Sequence, residues 1–214
     1  MRQRFYSTQP ATGTLSTLPV TTQNGSVFVA SIARGVWNTA PDAPADNMGN
    51  TYALLDMTHP YSGYPGARTG TYVAAPGNGG PNHVFSMTWG DIGGTGDETT
   101  VSAVEVRGAS QVVAFSWVEQ PAGNTVTSAP VATTGPALLL AWWWGSGQVN
   151  QQHTAVPGDG FTLLPQATEL GDNSPNGYIQ VAVAVKEVTS AGSYSITWSS
   201  QVAEGAQLYL LALQ

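Results

Sequence analysis

The amino-acid sequence predicts an all-β protein, an antiparallel β-sandwich built from two internal repeats of about six strands each. Three observations lead to this prediction. The composition is rich in turn formers, with 25 glycines and 14 prolines among 214 residues, and only 9% of the residues are charged, which favours short strands over helices. Apolar and polar residues alternate along several segments. Similar segments also recur in the same order in the two halves of the chain.

The alternation identifies strands and the face that each strand buries. A period of two residues places successive side chains on opposite faces of a sheet, so an apolar face beside a more polar one indicates a half-buried strand. The segment 178–185 has this pattern, because β-branched residues occupy its odd positions. The segments 83–89 and 193–198 alternate in the same way.

The two halves of the chain align with a nearly constant offset. "FVASIARG" at 28–35 lies over "LLLAWWWG" at 138–145, an offset of 138 − 28 = 110, and "HVFSMTW" at 83–89 lies over "GSYSITW" at 192–198, an offset of 192 − 83 = 109. Such an ordered match indicates an internal repeat. Because the copies join without a Gly/Ser linker, we expect one sandwich with two-fold pseudosymmetry, and two small sandwiches in tandem are the alternative.

In chain order, the elements begin with a polar N-terminal arm at 1–12. Repeat one occupies 13–107, a connecting segment at 108–122 carries a further strand at 111–119, and repeat two occupies 123–214. The predicted strands of repeat one are 14–20, 26–34, 50–56, 69–76, 83–89 and 100–106. Those of repeat two are 125–131, 136–144, 160–166, 177–186, 193–198 and 206–213.

Several of these segments resemble a family of doubled, jelly-roll-like β-sandwich proteins. The members are mostly uncharacterised and occur among tailed-phage structural proteins and bacterial surface proteins. The resemblance covers nearly the whole chain and is carried by "GNTYALL", "VEVRG", "VATTGPALLLAWWWG", "GDGFTLL" and "AGSYSITW". It implies a jelly-roll-like fold and a virion or cell-surface setting, and it brings no catalytic residues.

The charge balance and the cysteine count exclude several functions. The sequence has six basic and thirteen acidic side chains, which gives a formal net charge of −7. We therefore expect no basic stripe that could bind nucleic acid. The sequence contains no cysteine, which excludes disulfides, zinc–thiolate sites and thiol catalysis. We therefore expect neither a nucleic-acid partner nor a cofactor.

The first twenty residues contain no apolar stretch of the length that a secretory signal needs, and no transmembrane run follows. We therefore expect no signal peptide and no membrane insertion. This absence fits a virion component, which is assembled in the cytosol and released by lysis. The predicted location is a virion or an extracellular surface.

The search for catalytic residues argues against an enzyme. No G-x-S-x-G elbow occurs, and the three histidines, His59, His83 and His153, fall in loops or at strand starts without a recognisable carboxylate pattern. Asp42, Asp46, Asp91 and Asp97 are weak candidates for a calcium site, because carboxylate oxygens are the ligands that calcium prefers. Their spacing is not that of an EF-hand loop, and solvated turn residues are the favoured interpretation.

One loop departs from the repeat and is therefore a candidate recognition site. The segment "THPYSGYPGAR" at 58–68 carries His59, Tyr61, Tyr64 and Arg68. The second copy has the plainer "QATELGDNSPNG" at the same place. Tyrosine offers rigid, amphipathic contact area at low entropy cost, and loops on a rigid scaffold commonly carry recognition. We expect this loop to contact a glycan or another subunit.

Aromatic residues at the other end of the sandwich form a second candidate site. Trp37, Trp144 and His153 are expected to gather there, either as a cap on the core or as a binding site. In the run 142–144, alternation places Trp142 in the core with Leu138 and Leu140. Trp143 then points the other way, so its exposure would mark a contact surface, and Trp144 lies at the mouth of the sandwich.

These observations predict a non-enzymatic virion or surface structural protein, such as a tail fibre, a tail tip or a capsid-attached module. Its expected partners are further copies of itself, other virion proteins and a cell-surface glycan. A carbohydrate-binding module outside a virion is the first alternative. A polysaccharide lyase or hydrolase built on the carboxylates is the less favoured one.

Overall fold

A computed structural model describes residues 2–7, 13–35, 43–89, 97–146, 154–168, 170 and 179–214. The described residues form antiparallel strands and one short 3-10 turn, so the chain is all-β as predicted. The chain divides into two compact units, Met1–Ser110 (unit 1) and Gln111–Gln214 (unit 2). Each unit contains its own pair of sheets and its own apolar core.

Unit 1 contains a six-stranded and a three-stranded sheet. Its strands are β1 (Arg2–Ser7), β2 (Gly13–Ser16), β3 (Ser26–Arg34), β4 (Ala45–Asp46), β5 (Ala53–Leu54), β6 (His59–Tyr61), β7 (Tyr64–Gly77), β8 (Phe85–Trp89) and β9 (Asp97–Val106). The six-stranded sheet has the order β1-β9-β3-β7-β5, with β6 paired to β7, and the smaller sheet has the order β2-β8-β4.

The core of unit 1 lies between these two sheets. Phe28, Ala30 and Ile32 follow one another at every second position of β3 and point into it, as the period of a strand requires. Leu15 of β2 and Met87 of β8 pack against them from the smaller sheet. The arrangement is that of a β-sandwich, in which the inner faces of two sheets interdigitate.

Unit 2 contains a six-stranded and a two-stranded sheet. Its strands are β10 (Val112–Thr127), β11 (Val131–Thr133), β12 (Ala137–Ser146), β13 (Val156–Pro157), β14 (Thr162–Leu163), β15 (Ile179–Val188), β16 (Gly192–Tyr194) and β17 (Thr197–Leu213), with the 3-10 turn at Pro165–Ala167. The large sheet has the order β10-β17-β12-β15-β14, with β13 paired to β17, and β11 pairs with β16.

Alternate residues of β12 also form the core of unit 2. Leu139, Ala141 and Trp143 point into this core together with Leu208 of β17 and Ile196. The strands β3 and β12 therefore occupy the same position in the large sheet of their unit. β12 lies between β17 and β15 in unit 2, and β3 lies between β9 and β7 in unit 1.

Both large sheets are buried on their second face as well. In unit 1, Val27 and Val29 of β3 have no exposed surface, although they alternate with the core residues. In unit 2, the same is true of Leu140, Trp142 and Trp144 of β12. Because β3 and β12 are buried on both faces, both strands are near-continuous apolar runs in the sequence and do not alternate cleanly between apolar and polar residues.

Two predicted segments differ from the structure. The residues predicted as an N-terminal arm include β1, which pairs with β9 from Arg2↔Ser102 to Ser7↔Asp97. The connecting strand at 111–119 and the predicted strand at 125–131 are largely one element, β10, with register shifts around Gly123. A bulge lets a strand bend without ending, and the sequence pattern gave no sign of that continuity.

No helix in the described part of the chain is both long and apolar enough to cross a bilayer.

Candidate functional site

Several predicted site residues lie outside the part of the chain that the structure describes. They are Trp37, Asp42, Asp91 and His153. Asp97 begins β9, and only its backbone is described. The predicted cluster of Trp37, Trp144 and His153 therefore stays a prediction. The structure does locate Trp143, Trp144, Asp46 and the residues of the hairpin that contains Tyr64.

The prediction that Trp143 is exposed is wrong. Only 2% of Trp143 is accessible, and it belongs to the core of unit 2. The cause is the offset of the alignment, because Trp143 occupies the core position that Ile32 occupies in unit 1, an offset of 143 − 32 = 111 instead of 110. A shift of one residue moves every side chain of a strand to the opposite face.

The other two tryptophans of the run are buried completely. Trp142 has no exposed surface, as predicted, but it lies on the face of β12 opposite the core of unit 2. Trp144 is buried as well, so it does not form an open rim. Because neither face of β12 is exposed at these positions, the run is structural packing and not an open aromatic platform.

Trp143 nevertheless lines a small pocket at one end of unit 2. The pocket lies where β10 and β17 depart from regular pairing, and Trp198 and Glu204 contribute to its wall. Its enclosed space is about 10 Å³, which is the room of about one water molecule. The full lining comprises Gln120, Gly123, Asn124, Thr125, Val126, Trp143, Trp198, Ser200, Glu204 and Ala206.

The shape of this pocket depends on the glycine at position 145. Gly145 follows Trp143 on the same face of β12, and a Cβ atom there would collide with the Trp143 ring. The same Cβ would lie 2.9 Å from Glu204 Oε2. The indole ring of Trp143 therefore lies directly over the backbone of Gly145. This wall of the pocket is close to the carboxylate of Glu204. Glu204 is only 3% exposed.

Polar atoms in and near this end of unit 2 are buried. Trp198 has no exposed surface, and its Nε1 has no hydrogen-bond partner among the described residues. The side-chain amide of Gln180, which faces Gly145 in the register of β12 and β15, is also without one in that part of the chain. A water molecule is the natural partner for buried groups of this kind. The pocket can hold such a water, but it is too small for a sugar ring.

The loop singled out by its aromatic residues is a β-hairpin. Tyr61 ends β6 and pairs with Tyr64, which begins β7. Tyr61 is buried and Tyr64 is 68% exposed. His59 Nε2 lies 3.0 Å from Asp56 Oδ2. The hairpin therefore presents one tyrosine to solvent and retains the other as packing, so the four predicted residues do not form a single surface.

Arg68 belongs to the base of the hairpin. It pairs with Pro60 and with Arg34 in the register of the sheet, and its Nη1 donates a hydrogen bond of 3.3 Å to Thr58 Oγ1. Arg68 is half-buried and Arg34 is buried. The two arginines are therefore cross-strand neighbours at the end of β3. The sequence does not reveal their proximity, because they lie on different strands.

The sequence did not predict a polar network in the described part of unit 1. Thr22 Oγ1 lies 2.7 Å from His83 Nδ1, and His83 Nε2 lies 3.0 Å from Asp46 Oδ2. The imidazole stacks on Phe85 with 4.3 Å between ring centroids. The imidazole therefore lies between the threonine hydroxyl on one side and the carboxylate on the other.

Asp46 is held by further donors. Its Oδ2 accepts hydrogen bonds of 2.7 Å from Tyr52 Oη and from Asn50 Nδ2, and its Oδ1 accepts from the backbone N–H groups of Met48 and Asn50. Burial raises the pKa of Asp46, but these hydrogen bonds outweigh it and hold that pKa below its usual range. Burial and the neighbouring carboxylate raise the pKa of Tyr52.

A hydroxyl, an imidazole and a carboxylate in line resemble the parts of a nucleophile triad. However, Thr22 is only 5% exposed, and its Oγ1 accepts a hydrogen bond of 3.1 Å from the backbone N–H of Gly80. The carboxylate oxygens of Asp46 are likewise occupied by N–H and O–H donors. A calcium site instead needs carboxylate oxygens that bind the ion itself. The network therefore joins the segments around Thr22, Asp46 and His83 to one another.

No group of three or more histidine, cysteine, aspartate or glutamate side chains in the described part of the chain is arranged to hold a metal ion. Comparison with protein-family models, with curated proteins and with solved structures finds no match to this chain.

Proposed function

We propose that this chain is a non-enzymatic structural subunit of a virion or a cell surface that acts by self-association. Contact with surface glycans through the hairpin at 59–68 is the second part of the proposal. The resemblance of "VATTGPALLLAWWWG" and "AGSYSITW" to phage structural and bacterial surface proteins supports this setting. The low content of charged residues, 9% of the chain, also suits a protein that packs against others.

The proposal depends mainly on one observation, which is how three polar residues of unit 1 are hydrogen-bonded. Thr22, His83 and Asp46 have the chemistry of a reactive group, yet their hydrogen bonds connect segments of backbone. In unit 2, Glu204 lies beside a pocket with room for about one water. These side chains support a rigid scaffold, which is what a structural subunit requires.

The hairpin supports the recognition part of the proposal. Tyr64 is the large aromatic side chain exposed at its tip, and the paired strands β6 and β7 hold the tip in place. A tyrosine on a rigid element can pack on a sugar ring or on another subunit without a large loss of side-chain entropy. A carbohydrate-binding module outside a virion would use the same hairpin, so the state of association separates the two functions.

Sedimentation velocity of the full chain over a wide range of concentration tests the proposal. A structural subunit is expected to form dimers or larger closed assemblies as the concentration rises. A chain that stays monomeric throughout, while it binds glycans, would favour the carbohydrate-binding module. Turnover of a polysaccharide by the monomer would instead support the lyase or hydrolase alternative.

A further inference from the structure

Unit 1 brings two Asn–Gly pairs against each other, Asn24–Gly25 and Asn78–Gly79. The backbone N–H of Gly79 donates a hydrogen bond of 2.7 Å to Asn24 Oδ1. The backbone N–H of Gly25 donates one of 2.8 Å to the carbonyl oxygen of Gly77. The glycine N–H of each pair is therefore held by the segment that carries the other pair.

An Asn–Gly pair is chemically labile, because asparagine is prone to deamidation and glycine has no side chain that hinders the reaction. The glycine nitrogen attacks the side-chain carbonyl carbon of the asparagine. The bond from that carbon to the amide nitrogen breaks, and this nitrogen leaves as ammonia with the proton of the glycine N–H. Water then opens the succinimide ring, which gives aspartate or isoaspartate and adds one negative charge at neutral pH.

The fold requires a glycine at position 79. A Cβ atom there would lie 2.4 Å from the backbone oxygen of Gln23 and 2.5 Å from its carbonyl carbon. Contacts this short are with backbone atoms, so rotation of a side chain cannot relieve them. The packing of Gly79 on Gln23 therefore keeps the labile pair in the sequence, and Asn78 can be protected only by slowing the reaction itself.

We infer that Asn78 is a deamidation site and that the side chain of Asn24 controls the rate of the reaction there. The Gly79 nitrogen must lose its proton and approach the Asn78 side chain, and its hydrogen bond to Asn24 opposes both. Reaction then requires a local opening, as hydrogen exchange of a bonded amide does. Asn50 holds the preceding residue, since its Oδ1 accepts from the Asn78 N–H at 2.6 Å and its Nδ2 donates to the Asn78 oxygen at 2.9 Å.

Deamidation at Asn78 would disturb more than one side chain. Isoaspartate carries the main chain through the side-chain carbonyl and so lengthens the backbone by one carbon. Gly79 would then no longer fit on Gln23 as it does now. The Asn50 Nδ2 that holds Asn78 also donates to Asp46 Oδ2, so the change would reach the network around Asp46. The inference is independent of self-association.

Asn24→Ala tests the role of the side chain at position 24. Peptide mapping by mass spectrometry after incubation at mildly basic pH measures the deamidated fraction at Asn78 separately from that at other asparagines. We expect Asn78 to react at least about fivefold faster in this variant than in the natural chain, which is the effect of one lost hydrogen bond on a local opening. Asn24→Asp retains an oxygen that accepts from Gly79, so Asn78 should react at the natural rate.

Asn47→Ala is the matched control. The side chain of Asn47 also joins backbone groups of unit 1, because its Oδ1 accepts from the Val84 N–H and its Nδ2 donates to the Asn82 oxygen. Its loss removes hydrogen bonds from unit 1 but leaves the bond between Asn24 and Gly79 in place. Deamidation at Asn78 that is accelerated equally in Asn47→Ala and Asn24→Ala would reflect a general loosening and would contradict the inference.

Two measurements on the natural chain apply even where a variant fails to fold. The Gly79 amide hydrogen should exchange slowly with solvent, and Asn78 should deamidate at least about fivefold faster in denaturant than in the folded chain. Equal rates of deamidation in the folded and the denatured chain, or fast exchange at Gly79, would overturn the inference. A folded Asn24→Ala variant in which Asn78 reacts at the natural rate would overturn it as well.

Discussion

At the residue scale, the glycine at position 145 determines how Trp143 packs. The indole ring of Trp143 occupies the space that a side chain at 145 would need. In the register of the sheets, Gly145 pairs with Gln180 and Ala206, while unit 1 has Arg34 paired with Arg68 and Thr99 at the end of its own central strand. The absence of a side chain at 145 therefore makes room for one of the two tryptophans in the core of unit 2.

Gly145→Ala is expected to destabilise unit 2. The added methyl collides with the Trp143 ring, and overpacking of a filled core costs about 1–3 kcal/mol. Thermal or denaturant unfolding measures the loss. Gly135→Ala is the matched control, because its Cβ would find only the Gln214 side chain, at 3.7 Å. Equal stability of the two variants would contradict the close packing of Trp143 on the backbone at 145.

The Asp46 carboxylate should make the stability of the chain depend on pH. Its native pKa lies below the ordinary value of 3.8, so its contribution is fully present above that value. The contribution is lost as the pH falls through the native pKa. Replacement by asparagine removes the charge and leaves the donors of Tyr52 and Asn50 poorly matched, at a cost of about 1–3 kcal/mol at neutral pH.

Unfolding experiments between acid and neutral pH can measure this dependence. The free energy of unfolding of Asp46→Asn should change less below pH 5 than that of the natural chain, since the carboxylate no longer titrates. Glu187→Gln, at an exposed position at the end of β15, is the control and should retain the dependence. An unaltered acid response in Asp46→Asn would contradict the prediction that titration of Asp46 contributes to the pH dependence of stability.

The residues also show what a sequence can predict. Alternation at 83–89 predicted which face of that strand is buried, and Phe85 and Met87 do lie in the core of unit 1, because alternation depends only on neighbours in the chain. The contact between Asp46 and His83 spans 83 − 46 = 37 positions and depends on how β4 and the segment before β8 come together. Neither the spacing nor the type of the two residues distinguishes such a pair from ordinary turn residues. Thr22, Trp198 and Glu204 were missed for the same reason.

At the element scale, the bounds of three long strands were predicted well. β3 has the predicted bounds at 26–34, and β9 and β15 differ from their predicted segments by a few residues. Bounds were predicted wrongly where a strand bends, and the phase of the side chains was predicted wrongly where both faces of a strand are buried. β10 and β17 continue through bulges or across predicted loops, and β12 is apolar on both faces, so its phase could not be read from hydrophobicity.

The hairpin of β6 and β7 is the element on which glycan recognition depends. Tyr64→Ala should weaken binding to a glycan array at least about tenfold, because it removes the exposed ring at the tip. Its stability should stay within about 0.5 kcal/mol of the natural chain, since an exposed side chain contributes little to folding. Leu18→Ala, at a position that is 77% exposed elsewhere in unit 1, is the control and should not alter binding. Glycan binding that is unchanged in Tyr64→Ala would exclude the hairpin as the contact.

At the scale of the whole molecule, two compact units with matching strand orders in their large sheets make up the chain. The composition supplies few charges, and in unit 1 the side chains of Thr22, Asp46 and Tyr52 are engaged in internal hydrogen bonds. These features lead to the central claim, which is that the chain functions by associating with copies of itself.

Sedimentation velocity of the natural chain at low and at high concentration tests this claim most directly. The account predicts that the sedimentation coefficient rises with concentration, because monomers combine into dimers or larger closed assemblies. A sedimentation coefficient that stays at the value of the monomer at every concentration would contradict the claim.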